Sequence, residues 1–269
     1  MIHKTAVIDE TAVIGKNVEI GPNVFIGKNV TIKDGTKILS GSFIEYAEIG
    51  ENCKIGPMSV IGAEPQDLGY KNENTKVIIG DNCWIREFAT VHRASGEGNA
   101  TIVGNKCLLM AYSHVAHNCV LEDEVIMANA ATIGGHVHVG FGSFLGGLSV
   151  FHQNIRIGEM AIVSGASAAR MDILPYVKAE GIPAVPMGIN AIGLRRRGID
   201  KDSRDALHKA VRILTSEHFN TTQALEEIEK TVDKNDYVDN VINFVRSSKR
   251  GVTLRQKAAF YANMEKGEE

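Results

Sequence analysis

The chain has 269 residues, a formal net charge of −3 and 44% hydrophobic residues. That length can bury a sizeable core as one large or two modest domains, and the near-balanced charge gives no support for attraction to nucleic acid or an anionic membrane. No stretch of 18 apolar residues occurs, and the Met-Ile-His-Lys-Thr start lacks the pattern of a signal peptide, so a soluble, cytoplasmic protein without membrane insertion is expected.

From the N-terminus an apolar residue returns every sixth position: Ile14, Ile20, Ile26, Ile32, Ile38 and Ile44. The phase slips by one at Ile49 and continues through Ile55 and Ile61. A helix repeats near 3.6 and a simple strand at 2, so a period of six fits neither alone. It is the mark of a parallel β-helix in which each hexad forms one short strand and one corner. Three hexads make a triangular coil, which stacks residues eighteen apart at about 4.8 Å, the spacing of neighbouring strands. Gly follows several of the isoleucines (Gly15, Gly21, Gly27, Gly50, Gly56) and is expected to form tight corners with positive φ.

The period fails over Ala63–Lys76, and a second break covers 94–101. Loops thrown out of a solenoid usually carry function, the plainer reading being a solvated excursion. The compact polar group Gln66-Asp67-Leu68 favours function in the first. Hexads then run without a slip from Val103 through Leu109, Val115, Leu121, Met127, Ile133, Val139, Leu145, Phe151 and Ile157 to Val163. The four cysteines, Cys53, Cys83, Cys107 and Cys119, each lie four places after a hexad residue, in a slot otherwise held by small side chains. They read as small buried fillers, since zinc spacings are absent.

Residues 172–199, with Pro175, Pro183 and Pro186, read as irregular chain. Beyond Asp200 amphipathic helices are expected over roughly 203–217, from a cap at Thr221, and over 236–247. The architecture is therefore mainly β: a hexapeptide-repeat β-helix over 1–190 with protruding loops near 63–76 and 94–101, followed by a small α-helical C-terminal domain over 191–269.

Six of the nine histidines fall between 92 and 152. Eighteen residues above His117 lies Gly135, and eighteen above that Gln153, with His136 and His152 beside them. Such a column offers a general base next to an exposed N–H donor. Imidazole, with an ordinary pKa of about 6.5, accepts a hydroxyl proton at neutral pH. A glycine lets a reacting carbonyl approach its backbone N–H, as an oxyanion site requires. No Ser or Cys nucleophile is needed, so direct acyl transfer to a hydroxyl fits. His3, His138, His208 and His218 read as surface side chains. Three imidazoles on adjacent coils can also hold Zn²⁺, so a trimeric metal-dependent hydratase stands as a rival reading on the donors alone.

The hexads, SHVAHNC (113–119), GGHV (134–137), VFHQ (150–153), GLRRRG (193–198) and PQDL (65–68) together resemble the acyl-carrier-protein-dependent UDP-N-acetylglucosamine O-acyltransferases of lipid A biosynthesis, over nearly the whole chain. The resemblance implies a homotrimer of left-handed β-helices with active sites between subunits. It implies transfer of a 3-hydroxyacyl group from acyl carrier protein to the glucosamine 3-position of UDP-N-acetylglucosamine. No metal or bound cofactor is implied, because phosphopantetheine arrives on the carrier protein. His117 matches the general base and Gly135 the backbone donor to the thioester oxygen. Asp67, His114, His136 and Gln153 match positions around the sugar and acyl chain, with Gln66, Lys71 and His152 further candidates for substrate binding. Asn190, Arg196 and Arg197 match positions near the uridine and diphosphate. Arg suits that role on its own chemistry, pairing phosphates bidentately. Gly165 matches the position that gauges acyl length; an open groove there implies a long chain, of about fourteen carbons, since added methylenes are discriminated by apolar contact.

Two residues depart from the resemblance. Gly69 stands where Lys is common, with Lys71 two further on, which keeps open an amino-sugar acceptor and an amide product. Asn118 follows His117 where Asp is common, and an amide orients an imidazole without stabilising its cation as a carboxylate does. Arg195–Arg197, Lys249, Arg250, Arg255 and Lys257 could steer an acidic carrier protein, ordinary solvated charge being the plainer reading for the last four.

Overall fold

The computed structural model describes residues 1–255; Lys257 and the rest of the tail lie outside the described residues. Among the described residues the chain is a parallel β-solenoid of three sheets with four helices at its C-terminal end. The first sheet has nine strands, from Val7–Ile8 to Ala168–Ala169, and the second eight, from Val13–Ile14 to Arg156–Ile157. The third has ten, from Glu19–Ile20 through Ile162–Val163 to a terminal hairpin.

Register follows the hexads. His114 pairs with Thr132 and Thr132 with Val150, eighteen residues per coil. The slip before Ile49 is a coil one residue short, pairing Val30 with Ala47. Both loops are inserted without interrupting the ladder: Val60 pairs with Thr90, and Thr90 with His114. The inward residues Ile26, Ile44, Ile61, Val91, Val115 and Ile133 are fully buried, each contributing about 1.5–3 kcal/mol of apolar transfer. Cys53, Cys83, Cys107 and Cys119 are free and buried in the same stack. Their thiols point at carbonyls of the next coil, Cys83 Sγ lying 2.9 Å from Gly104 O.

The corner geometry corrects the expectation about glycine. Gly15, Gly50 and Gly56 do not hold the left-handed conformation; that falls two places on, at Asn17 (φ 57), Asn52 (φ 53) and Met58 (φ 55). The glycines are needed for close approach instead. A Cβ at Gly56 would sit 2.6 Å from the Arg86 carbonyl carbon, and one at Gly50 2.6 Å from Gly80. Asn tolerates the left-handed slot because its short amide bonds locally.

Residues 172–199 are more ordered than their composition suggests. Val177–Gly181 continues the third sheet beside Ile162–Val163, and Ala184–Ile189 returns antiparallel to it. Helix α1 (Ala191–Arg196) follows, capped by Asn190, whose Oδ1 accepts from Gly193 N at 3.0 Å. Helix α2 spans Lys201–Thr215, α3 Thr221–Thr231 and α4 Asp236–Arg246. The cap of α3 is Asn220 rather than Thr221, in a capping box with Gln223, which satisfies two orphan donors at once. Helix α4 is fastened to the coil: Arg156 Nη2 donates to Phe244 O at 2.8 Å, and Asp172 accepts from both Arg156 Nε (3.0 Å) and Ser248 Oγ (2.8 Å).

Candidate active site

The corner between the first and second sheets carries the histidines. His114–Val115, Thr132–Ile133 and Val150–Phe151 end in turns 116–119, 134–137 and 152–155, so His117, Gly135 and Gln153 stack on one edge. A Cβ built on Gly135 would lie 2.6 Å from both Cε1 and Nε2 of His117. The ring therefore rests directly on this glycine, and no side chain fits between. Gly135 is buried, and among the described residues its N–H has no acceptor. An unpaired N–H beside an imidazole is the arrangement that can stabilise an oxyanion next to a base.

His136 stands against His117 edge to face, centroids 5.3 Å apart. It occupies the left-handed corner slot with φ 60, a slot held by Asn at 118 and 154. On the near side His114 Nδ1 bonds Thr90 Oγ1 at 2.7 Å, and His92 packs on His114 at 5.2 Å. Among the described residues His92 Nδ1 is buried without a partner. Burial pushes the pKa of His92 down; burial and then the neighbouring His92 and His117 charges push that of His114 down to about 4. His136 is lowered by burial and by His117, with Asp67 opposing. These three imidazoles are thus biased toward neutrality.

The first loop brings Asp67 to this corner. Its carboxylate accepts from Gly69 N at 2.9 Å. That bond, the Ser95 hydroxyl, and the proximity of His117 and His136 hold its pKa below the ordinary range. The loop is anchored from beneath by buried Arg93, which donates to Tyr70 Oη (3.1 Å), Glu45 Oε1 (2.9 Å) and Gly62 O (2.7 Å). Gln66 and Lys71 are exposed on the same loop, and Lys71 N donates to Glu73 Oε2. His152 and Gln153 are exposed at the upper end of the column, where Arg250 Nη2 comes within 3.4 Å of His152 Nδ1.

Other expected site residues lie elsewhere on the chain. Gly165 is in the turn between Ile162–Val163 and Ala168–Ala169, which joins the third sheet to the first. A Cβ there would meet only Gly147, its oxygen at 3.1 Å. Arg197 is at the remaining corner, joining the second sheet to the third, where it pairs with Glu124 at 2.9 Å and covers the Phe141 ring at 4.7 Å. Arg196 is exposed on α1 nearby. Asn190 spends its amide within the chain, on Gly193 N and on Met160 O at 2.9 Å. One chain thus places His117, Gly165 and Arg197 on three different edges of the prism.

The residue that counting by eighteen does not find is Ser95. It sits in an inserted loop and touches Asn118, 23 residues on, because the insertion changes the local repeat. Arg250 carried a signal only as a basic residue. Among the described residues no three His, Cys, Asp or Glu side chains are grouped to hold a metal ion, and no helix is long and apolar enough to cross a membrane.

Fold and column define a β-helical protein whose corner can host acyl-transfer chemistry, and comparison with known proteins gives the family. Residues 172–253 match the family model described as UDP N-acetylglucosamine O-acyltransferase, domain 2, and residues 1–80 match a model for the GMPPB C-terminal domain. The acyl-[acyl-carrier-protein]–UDP-N-acetylglucosamine O-acyltransferase of Campylobacter concisus is 39% identical, over 94% of this chain and 97% of its own. That of Thermodesulfovibrio yellowstonii is 42% identical over 93% and 98%. The crystal structure of the Bacteroides fragilis UDP-N-acetylglucosamine acyltransferase superposes with a TM-score of 0.90 at 37% identity, covering 94% of this chain and 99% of that one. The chain belongs to the acyl-[acyl-carrier-protein]–UDP-N-acetylglucosamine O-acyltransferase family.

Proposed function

We propose that the protein moves a 3-hydroxyacyl group from an acyl-carrier-protein thioester to the 3-hydroxyl of the glucosamine unit in UDP-N-acetylglucosamine, the first step of lipid A biosynthesis, in the cytoplasm. The observation that carries the reading is the packing of the His117 ring, at its Cε1 and Nε2 atoms, on Gly135, whose N–H has no acceptor among the described residues.

Nε2 of His117 takes the proton of the hydroxyl as its oxygen attacks the thioester carbonyl. The oxyanion forms against the Gly135 N–H. Collapse of the tetrahedral intermediate breaks the C–S bond, and the imidazolium returns its proton to the departing phosphopantetheine thiolate. Base and donor contribute roughly 10²–10⁴ and 10²–10³. Phosphopantetheine enters with the donor, and the scheme uses no resident cofactor or metal. Asp67, ionised at neutral pH, is suited to accept a sugar hydroxyl, with Gln66, His114, His136, His152 and Gln153 around the sugar and acyl head. Lys71, Asn190, Arg196 and Arg197 serve the nucleotide diphosphate, and Gly165 leaves room for a long acyl tail.

These groups lie on three edges of one chain, so the working enzyme is a homotrimer in which adjacent prisms complete each site. A 3-amino acceptor is a second reading, favoured by Gly69: its N–H occupies Asp67 where a lysine is common, and an acidic group without a resident cation suits an ammonium. His117→Ala should lower turnover of UDP-N-acetylglucosamine by at least about 10² with the trimer intact. Near-normal turnover by that variant would end the mechanism, and preference for the 3-amino analogue in side-by-side assays would move the acceptor.

A further inference from the structure

His117 Nδ1 lies 2.9 Å from Asn118 Oδ1. Which of the two carries the hydrogen follows from the other contacts of the Asn118 side-chain amide, made to Ser95. The main-chain N–H of Ser95 meets Asn118 Oδ1 at 3.0 Å, and its hydroxyl meets the same oxygen at 3.1 Å. The main-chain carbonyl of Ser95 accepts from Asn118 Nδ2 at 2.9 Å. A backbone N–H can only donate and a carbonyl can only accept, so the amide has one permitted orientation. Its oxygen faces His117, an oxygen that only accepts, and the hydrogen must sit on Nδ1. Nε2 is then the nitrogen with the free lone pair.

We propose that Ser95 is a positioning residue: its main-chain N–H and C=O orient the Asn118 amide, which in turn holds His117 as the Nδ1–H tautomer with Nε2 free. The inference rests on the reading of His117 as the base. It gives the second loop a task in the chemistry. Asn99 Nδ2 supports the same Ser95 carbonyl at 2.9 Å, and Gly98 N is tied to Asn74 O of the first loop at 3.0 Å, so both loops brace one hydrogen bond. Asn118 N itself is held by Thr101 Oγ1 at 2.9 Å, which leaves the amide little freedom to seek another partner. A carboxylate at 118 needs no such orientation, because both of its oxygens accept.

The test is a cycle on residues 95 and 118, read as kcat, KM and the pH profile. Asn118→Ala should lower kcat by at least about tenfold with KM for the sugar nucleotide within about threefold, since a tautomer is lost and not a substrate contact. Asn118→Asp should regain most of that kcat at alkaline pH, with the acid limb moved to higher pH because the carboxylate favours the imidazolium. Ser95→Pro, which deletes the N–H, should cost at least about tenfold with Asn at 118 and under about threefold with Asp there. Equal losses in both backgrounds, or Asn118→Ala with wild-type kcat and pH profile, overturn the proposal. Should Ser95→Pro not fold, the comparison of Asn118→Ala with Asn118→Asp decides alone: equal impairment with an unmoved acid limb is the overturning result. An active His117→Ala overturns the base itself; an inactive His117→Ala beside a normal Asn118→Ala overturns only the lock.

Discussion

His114 shows how a single buried imidazole links the site to stability. Its folded pKa, near 4, is below the ordinary value of about 6.5, because its surroundings and two neighbouring histidines disfavour the cation. The folded state therefore binds fewer protons than the unfolded one between those values. Stability is full above about pH 6.5 and falls as pH drops toward 4, by about 2–3 kcal/mol for this residue once its partial exposure is allowed for. His92 and His136 are shifted the same way and add to the slope. Denaturant midpoints measured from pH 7.5 to 4.5 should fall less steeply for His114→Asn than for the wild type; parallel slopes would show that His114 does not carry the effect. His114 was visible in the sequence as one of a cluster, yet its neutrality comes from burial and from His92 and His117 beside it, and His92 is set there by the stacking of an inserted coil.

Loops and corners carry the site because the hexad strands leave them free to vary. The first loop is held by Arg93, whose guanidinium spans Tyr70 of the loop, Glu45 and the Gly62 carbonyl, with the Tyr46 ring 4.5 Å away. Arg93→Met leaves a carboxylate and a carbonyl without their donor. It should destabilise the protein by about 2–4 kcal/mol, expose residues 63–76 to limited proteolysis and raise KM for the acceptor through Asp67. Unchanged urea midpoints and an uncut loop would remove Arg93 from that role. Nothing in the hexad count marks Arg93 as a strut, since its partners come from the loop and from the coil below at uneven separations. The corners teach the same point: at 15, 50 and 56 glycine was legible as a corner residue, but its use there is close packing of coils, and the left-handed turn falls two places on, at Asn17, Asn52 and Met58.

At the scale of the molecule, the third-sheet edge bearing Gly165, the edge bearing Arg197 and the edge bearing His117 cannot meet within one prism. Three chains of 29.2 kDa are the proposed particle, and its mass in solution checks that directly. The sharper measurement is complementation. His117→Ala and Arg197→Ala should each be nearly inactive alone, whereas trimers reassembled from an equal mixture should regain about a quarter of wild-type activity, since a ring places unlike surfaces together and that fraction of sites draws both intact residues. No recovery on mixing would mean that each chain supplies its own base and arginine.

The sequence by itself determined the solenoid, its coil of eighteen residues and the stacking of His117, Gly135 and Gln153, because in a β-helix the neighbour of a residue is set by a constant count along the chain. It also pointed to Asp67 and the arginines through motifs, and to helices beyond Asp200 through apolar spacing. Tertiary structure decided what that count cannot reach. Insertions change the repeat locally, so Ser95 meets Asn118 and Thr90 meets His114 at separations no period predicts. The hairpin 177–189 and helix α1 take their order from the last coil they close. The column read in the sequence as an imidazole stacked on a glycine thus acquires its hydrogen-bond direction, the Asn118 oxygen toward His117 Nδ1, only from a loop backbone that the periodicity leaves out.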